Sequence, residues 1–312
     1  LDGNTVQAAA TANLAVNSLN ASAGTQILNM GSETTTSIGV PISAATAGLA
    51  LQNTQSGSAP VTATVNNVAV LTSLGTLNGT AGVNNNTVLA QSRGQAAQNS
   101  LALNAGTTLN ASASLVNSQI NAGPVGSSIT GVGVGLTAGS VTGASSVGNN
   151  TVQASGTANL AINSMDITGG TLAAATGGST GALTATADYV ALNHQNNLGD
   201  VSTSVNGAAI ALANNSTSGS ASVLNNAILA DATGNSAINR ITLSTPGTAT
   251  ADVAFNGFQN NIGASVSSSI SGASISLSTT GVGSFRTSGN RIGATATGNA
   301  SVSSISTRSS GL

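Results

Sequence analysis

One strand-like pattern returns five times along this chain, and any fold must give every copy an equivalent place. The clearest pair reads Asn4-Thr5-Val6-Gln7-Ala8-Ala9-Ala10-Thr11-Ala12-Asn13-Leu14-Ala15-Val16-Asn17 and Asn150-Thr151-Val152-Gln153-Ala154-Ser155-Gly156-Thr157-Ala158-Asn159-Leu160-Ala161-Ile162-Asn163. Looser copies begin at Asn86, Asn226 and Asn290. Asn86 lies 82 residues after Asn4, Asn150 lies 64 after Asn86, Asn226 lies 76 after Asn150, and Asn290 lies 64 after Asn226. The alternation of long and short intervals predicts two units, each of two dissimilar halves. These are residues 1–146 (1–82 and 83–146) and 147–286 (147–222 and 223–286), followed by a partial copy over 287–312. A second motif shares the spacing: Gln195-Asn196-Asn197-Leu198-Gly199 matches Gln259-Asn260-Asn261-Ile262-Gly263, with weaker relatives at Val116–Asn121 and Leu49–Asn53.

Within a copy the apolar residues recur every second position, the mark of a half-buried strand. The alternation places Val6, Ala8, Ala10, Ala12, Leu14 and Val16 on one face, with Thr5, Gln7, Thr11, Asn13 and Asn17 opposite. Gly94, Gly234 and Gly298 share the motif position of Ala12 and Ala158, which predicts a bend or bulge there. Further strands are expected over Val61–Leu71, Ala182–Leu192, Val201–Leu212 and Val266–Leu277, separated by Gly- and Asn-rich turns.

Composition narrows the fold. Only 1% of residues are aromatic and 4% charged, yet 40% are hydrophobic, which is not the make-up of a disordered chain. A core without Trp and with three Phe has to be thin, filled by Ala, Val, Leu and Ile between close β walls. The reading is all-β: a β-solenoid, or β-helix-like stack of short strands, with rungs of about 20 residues and hence about three rungs per 64-residue block. Tandem small β-sandwiches are the alternative, disfavoured because a sandwich core about 10 Å thick usually contains aromatic residues.

The net charge of −2 and the scattered Arg93, Arg240, Arg286, Arg291 and Arg308 give no field for nucleic acid. No apolar run reaches the roughly 18 residues of a membrane helix, so no membrane insertion is expected. Cysteine is absent, excluding disulfides and thiolate metal sites, and absent lysine excludes Lys–Asn isopeptide crosslinks. With the Asn, Thr and Ser richness, this fits a secreted or cell-surface prokaryotic protein, with the chain from Leu1 a mature form or a fragment.

No catalytic group, cofactor or metal site is predicted. His194 is the only histidine, and with Asp188, Tyr189 and Asp200 nearby it reads as a polar loop residue. The acids Asp2, Glu33, Asp166, Asp188, Asp200, Asp231 and Asp252 form no sequence cluster of the kind glycoside hydrolysis needs. One calcium beside Asp188 or Asp200 is the metal reading they leave open.

At Gly148-Asn149-Asn150-Thr151-Val152-Gln153 the chain resembles the curlin type of amyloid fibre subunit, whose repeats space Gly, Asn and Gln along stacked strands. More broadly it resembles repetitive β-rich bacterial surface proteins: filament subunits, β-helical adhesins and holdfast-anchoring proteins. That resemblance implies export, adhesion and assembly.

The expected function is structural: a subunit of an extracellular filament, fibre or surface matrix, a homopolymer joined by strand stacking or exchange. Both terminal segments are motif copies, so the candidate assembly residues are Val6, Ala8, Ala10, Ala12 and Asn13 at one end and Ile292, Ala294, Ala296 and Asn299 at the other. Deleting residues 1–17 is expected to abolish polymers. A non-polymerising adhesin stalk that binds a glycan or surface is the alternative, and a polysaccharide-active β-helix enzyme a third.

Overall fold

The computed structural model describes residues 1–24, 33–35, 44–172, 177–180 and 185–309, and over these the chain is a β-solenoid of parallel strands with no helix. The first coil runs through β1 (Thr5–Ala23), β2 (Glu33–Thr35), β3 (Ala44–Ala47), β4 (Leu49–Gly57), β5 (Val61–Asn66), β6 (Ala69–Leu77) and β7 (Thr80–Asn84). The second runs through β8 (Thr87–Leu109), β9 (Ala113–Asn121), β10 (Val125–Thr130), β11 (Gly133–Val141) and β12 (Ala144–Gly148). The third holds β13 (Thr151–Leu172), β14 (Gly177–Thr180), β15 (Ala185–Ala187), β16 (Tyr189–Asn197), β17 (Val201–Asn206), β18 (Ala209–Thr217) and β19 (Ser220–Leu224). The fourth holds β20 (Ala227–Thr245), β21 (Val253–Asn261), β22 (Val266–Ser271), β23 (Ser274–Gly281) and β24 (Ser284–Ser288), and β25 (Arg291–Ser309) opens a fifth.

Each segment stacks in register on its counterpart in the next coil, giving a long sheet β1-β8-β13-β20-β25 and four sheets of four strands. Asn4, Asn86, Asn150, Asn226 and Asn290 are therefore one column, and each motif interval is one complete coil. The expected rung of about 20 residues is thus replaced by a coil of 64. The reason is the long wall: β1 alone takes 19 residues and β8 takes 23, and four further segments must return the chain to its start. The longer intervals of 82 and 76 residues arise because coils one and three carry insertions between their first two walls. Those insertions meet each other in an antiparallel sheet, β15-β14-β3-β2.

Corners explain the Asn and Gly pattern. Gly3, Asn85, Asn149, Asn225 and Gly289 all have left-handed φ between 55° and 68°, each one residue before the column of motif asparagines. Only Gly and Asn adopt that conformation readily. A second column of left-handed corners, Asn67, Gly131, Gly207 and Gly272, splits three predicted strands in two. Val61–Leu71, Val201–Leu212 and Val266–Leu277 each turn this corner between β5 and β6, β17 and β18, and β22 and β23. Of the predicted strand Ala182–Leu192, residues 182–184 lie outside the described residues, and the rest divides between β15 and β16.

The long strands carry a bulge at the predicted position. Pairing runs Thr11↔Arg93, skips Ala12 and Gly94, and resumes at Asn13↔Gln95; the same skip recurs between all later coils. One extra residue reverses which parity faces inward. Val88, Ala90 and Ser92 point in before the bulge, and Gln95, Ala97, Asn99, Leu101 and Leu103 after it. Leu14 and Val16 are accordingly on the outer face, 71% and 69% exposed, not on the buried face that unbroken alternation assigns them.

The interior has two apolar lobes. The first half of each long strand packs against the strands at the β5, β6 and β7 positions, with Val88, Ile129, Leu136, Val152, Ile210 and Ile228 among its core. The second half faces the strands at the β4 position, with Leu101, Leu115, Met165, Ile167 and Tyr189 between them. The outer face of those latter strands is covered too: Val116, Val190 and Leu192 pack with Ala187 of an insertion.

Between the lobes lies a seam of amides. Asn17, Asn99, Asn163 and Asn239 form one ladder at 2.8 Å, and Asn53, Asn117 and Asn193 another at 2.7 and 2.8 Å. Uncharged side chains can stack on their own kind without repulsion, and the amides of these two ladders bond to their counterparts one coil away.

Candidate functional site: the strand edges at the two ends of the stack

The sequence-derived assembly residues lie on the two outermost strands of the long sheet. Val6, Ala8 and Ala10 are half-buried on the inner face of β1, Ala12 sits at the bulge, and Asn13 enters the amide seam. Ile292, Ala294 and Ala296 occupy the matching inner face of β25, and Asn299 matches Asn13. Missing from that set are the edges of the other walls: every parallel sheet ends on a first-coil strand on one side and on a fourth-coil strand or β25 on the other.

The two faces differ. None of β1, β4, β5, β6 and β7 contains a charged residue. The far end carries Arg286, Arg291 and Arg308 and no acid in its edge strands. Edge strands are commonly guarded by charge, proline or a covering element; among the described residues the first-coil edges have no charge and no helix over them. Ile292 is 46% exposed although its counterparts Val88, Val152 and Ile228 are all 0% exposed. Ile305 is 52% exposed while its counterparts Leu101, Met165 and Ile241 are buried. β25 thus overhangs the stack with a bare apolar inner face, because the walls that close each earlier coil have no fifth-coil equivalent among the described residues.

The amide columns are polarised. Asn86 donates to Asn150 Oδ1 at 2.9 Å, and Asn150 donates to Asn226 Oδ1 at 3.0 Å and to the Val83 carbonyl at 2.8 Å. Backbone groups fix that orientation, since the Asn86 and Asn150 backbone N–H groups also donate to the next side-chain oxygen. The column therefore starts with an Asn4 Oδ1 that accepts nothing among the described residues and finishes with an Asn290 amide that donates only to the Val223 carbonyl. The column Asn13, Gln95, Asn159, Asn235, Asn299 runs the same way but is broken between Gln95 and Asn159, where the Gln95 Nε2 and the Asn159 Oδ1 have no partner. The glutamine column runs oppositely: Gln119 donates to Gln55, Gln195 to Gln119, and Gln259 to Gln195. It leaves a spare N–H on Gln55, which donates only to the Ala96 carbonyl, and a spare oxygen on Gln259.

Clefts open at the same places. One of about 740 Å³ lies at the first-coil end between Ala9–Asn13 and Ser56–Thr62, and another of about 510 Å³ between Ala12–Ala15 and Asn53–Ser56. A smaller one of about 300 Å³ lies under β25, lined by Leu243, Thr245, Ala251, Thr307 and Arg308. A shallow groove of about 150 Å³ on the outer wall is lined by Leu14, Val16, Arg93, Leu160 and Ile162.

The residues weighed for chemistry serve structure. The Asp188 carboxylate accepts the backbone N–H of Asp252 at 2.5 Å, and Asp200 accepts the backbone N–H and hydroxyl of Ser265 at 2.7 and 2.9 Å. Those two bonds hold the Asp200 carboxyl below the usual carboxylate range. Burial, and secondarily the charge of Asp188, pushes the Tyr189 phenol well above its ordinary value. His194 is not on a loop: it lies within β16, buried against Phe258 with ring centroids 5.4 Å apart. Among the described residues no three His, Asp or Glu side chains gather as a metal would require.

Comparison of the chain with protein-family models, curated proteins and solved structures returns no match. What the chain does is therefore judged from its own faces and edges.

Proposed function

We propose that this protein is a structural, extracellular rod of prokaryotic origin that builds a filament, fibre or surface matrix by β-strand stacking or exchange between copies. The supporting observation is the in-register stacking of parallel, nearly uncharged coils, whose backbone ladders and asparagine columns repeat from coil to coil and would pair in the same way with a strand of another copy. Main-chain pairing supplies affinity in such contacts and alternate side chains supply register. No cofactor enters this reading, and neither nucleic acid nor lipid is a partner. Negative-stain microscopy with sedimentation at rising concentration tests it. Rods that lengthen with concentration are expected, and a single chain mass at every concentration rejects the reading.

A second reading, a stalk that binds a glycan or surface, is favoured by the outer wall. There Ile162, Ile238 and Val302 stand exposed above one another in adjacent coils, and Gln98 of the second coil separates them from the exposed Val16 of the first. Loss of surface binding in Ile162→Ser, with mass unchanged, would support it. Polysaccharide cleavage has little support: Asp231, in the long sheet, bonds Gln153, while Asp188 and Asp200 hold backbone. Incubation with glycans is expected to release no new reducing ends.

A further inference from the structure

We propose that the outer wall of the long sheet docks on the same wall of a second copy, so that two rods lie side by side, antiparallel, about a two-fold axis. The inference rests on the reading that copies assemble, and adds to it a sideways contact centred on coils two to four.

The wall carries a groove and a ridge. Beyond the bulge, the outward residues are Ala96 and Gln98 in coil two, Leu160 and Ile162 in coil three, and Ser236 and Ile238 in coil four. Ala96 and Gln98 floor the groove of about 150 Å³, with Leu14 and Val16 of coil one on one bank and Leu160 and Ile162 on the other. Beside it Ile162 and Ile238 stand one above the other, 41% and 50% exposed. Both lie in strands paired on each side, so their exposure belongs to the wall itself. A contiguous row of exposed aliphatic groups marks an interaction surface.

Shape and charge identify the occupant as a second copy. Arg93 stands at one end of the groove, between Thr11 and Thr157 in its column, with no acid beside it. Asp231 accepts a hydrogen bond from Gln153 at 2.9 Å and stands between Ser155 and Thr295, with no cation beside it. Within one chain the two are separated by two coils and one outward position, about 12 Å between Cα atoms. Turning a second wall about an axis along β13 sets coil two of each copy against coil four of the other. Ile238 of the second copy then enters the groove over Gln98, and Ile162 meets its own counterpart. Arg93 comes to stand across from Thr233 of the second copy, one outward position from Asp231. Packed sheets lie about 10 Å apart, a gap that an arginine and an aspartate span together. Symmetry makes this contact twice. Further along, the two Asp166 side chains meet near the axis with both Arg240 side chains flanking them, which leaves that corner neutral. A two-fold axis across the strands would instead set coil two against coil two, groove on groove and ridge on ridge. From Gln91 to Ala102 and across five strands, the wall covers roughly 850 Å², close to the ~800 Å² that each partner gives to a stable interface.

Charge exchange in the full chain tests the pair. Sedimentation of the unaltered chain should show a two-chain particle. Arg93→Glu sets carboxylates against each other and should weaken pairing by about tenfold or more, and Asp231→Arg should do the same with cations. Arg93→Glu combined with Asp231→Arg should recover most of the affinity, because the opposite charges meet again between chains. A double variant no better than either single one overturns the proposal. Cross-linking tests the axis without touching these charges, and the absence of native cysteine keeps it clean. Ala102 of coil two and Thr242 of coil four share one outward column. A short bis-maleimide should join Ala102→Cys to Thr242→Cys chains across the gap of about 10 Å, in higher yield than it joins either variant to itself. Equal yields from the mixture and the single variants overturn the axis. Chains that stay single and bind a glycan film through Ile162 assign the wall to a glycan and overturn the pair. Filaments that form without the Ala102–Thr242 cross-link sink this inference and spare the assembly reading. Cross-linked pairs that never lengthen into filaments keep the sideways contact and reject growth by strand stacking.

Discussion

The side chain of Asn150 is held on every side. Its oxygen accepts from the backbone and side chain of Asn86, and its amide donates to Val83 and Asn226, all within 2.8 to 3.0 Å and fully buried. Its neighbour Asn149 contributes conformation instead, standing at φ 55°. The two asparagines should therefore respond oppositely to substitution. Asn150→Ala strands several buried polar groups and should cost about 2–4 kcal/mol in urea unfolding. Asn149→Gly should be near neutral, whereas Asn149→Val should cost about 1–2 kcal/mol because a β-branched residue resists the left-handed region. Equal effects at both positions would show that the corner is not built this way. His194 gives a second residue-scale test. Burial lowers its pKa, so the folded protein binds its proton less readily than the unfolded chain, whose histidine titrates near 6.5. Stability should be level above about pH 7 and fall as the pH drops through 6.5. Asp200, whose pKa is lowered, loses its contribution only further down, as its carboxylate is protonated. His194→Ser, which copies Ser118 in the same column, should remove the decline between about pH 6.5 and 5. A decline that survives the substitution assigns it to other groups.

At the scale of an element, the bulge decides what is inside. Alternation, strand character and the position of the irregularity were all legible in the sequence, because Val6, Ala8 and Ala10 obey a period of two and glycine recurs at one motif position. The reversal of faces was not legible, since Leu14 and Val16 are as apolar as core residues and only the pairing shows them outside. Corner positions inside Val61–Leu71 escaped notice for a related reason: Asn67 turns the chain without a glycine or proline to mark it. The size of a coil escaped because the longest wall, in β8, reaches 23 residues, well beyond an ordinary strand of about 5–6. The stacking of the amides could be inferred from repetition, but the direction of their columns could not, since it depends on which carbonyl each side chain meets. Mutation separates the bulge from simple alternation. A Cβ added at Gly94 would stand 2.5 Å from Asn121 Oδ1 and 2.6 Å from the Ala158 carbonyl, so Gly94→Ala should cost about 1–3 kcal/mol. Leu14→Ser, on the outer face, should change stability by no more than about 0.5 kcal/mol, whereas Leu101→Ser in the core should cost several times more. A large loss from Leu14→Ser would restore the unbroken strand.

For the whole molecule, stability is close to a sum over coils and the interfaces between them, because each coil touches chiefly its neighbours. β13 is paired along its length to β8 on one side and β20 on the other, so opening it requires breaking two interfaces. β25 has β20 alone, with Ile292 and Ile305 exposed on its inner face. Amide exchange should therefore be slowest in 151–168, intermediate in 5–23 and fastest in 291–309, a gradient that follows position in the stack, since the strands share one motif. Mass spectrometry of dilute, unassembled chain reads this directly, and uniform protection across the long sheet would deny the layered account.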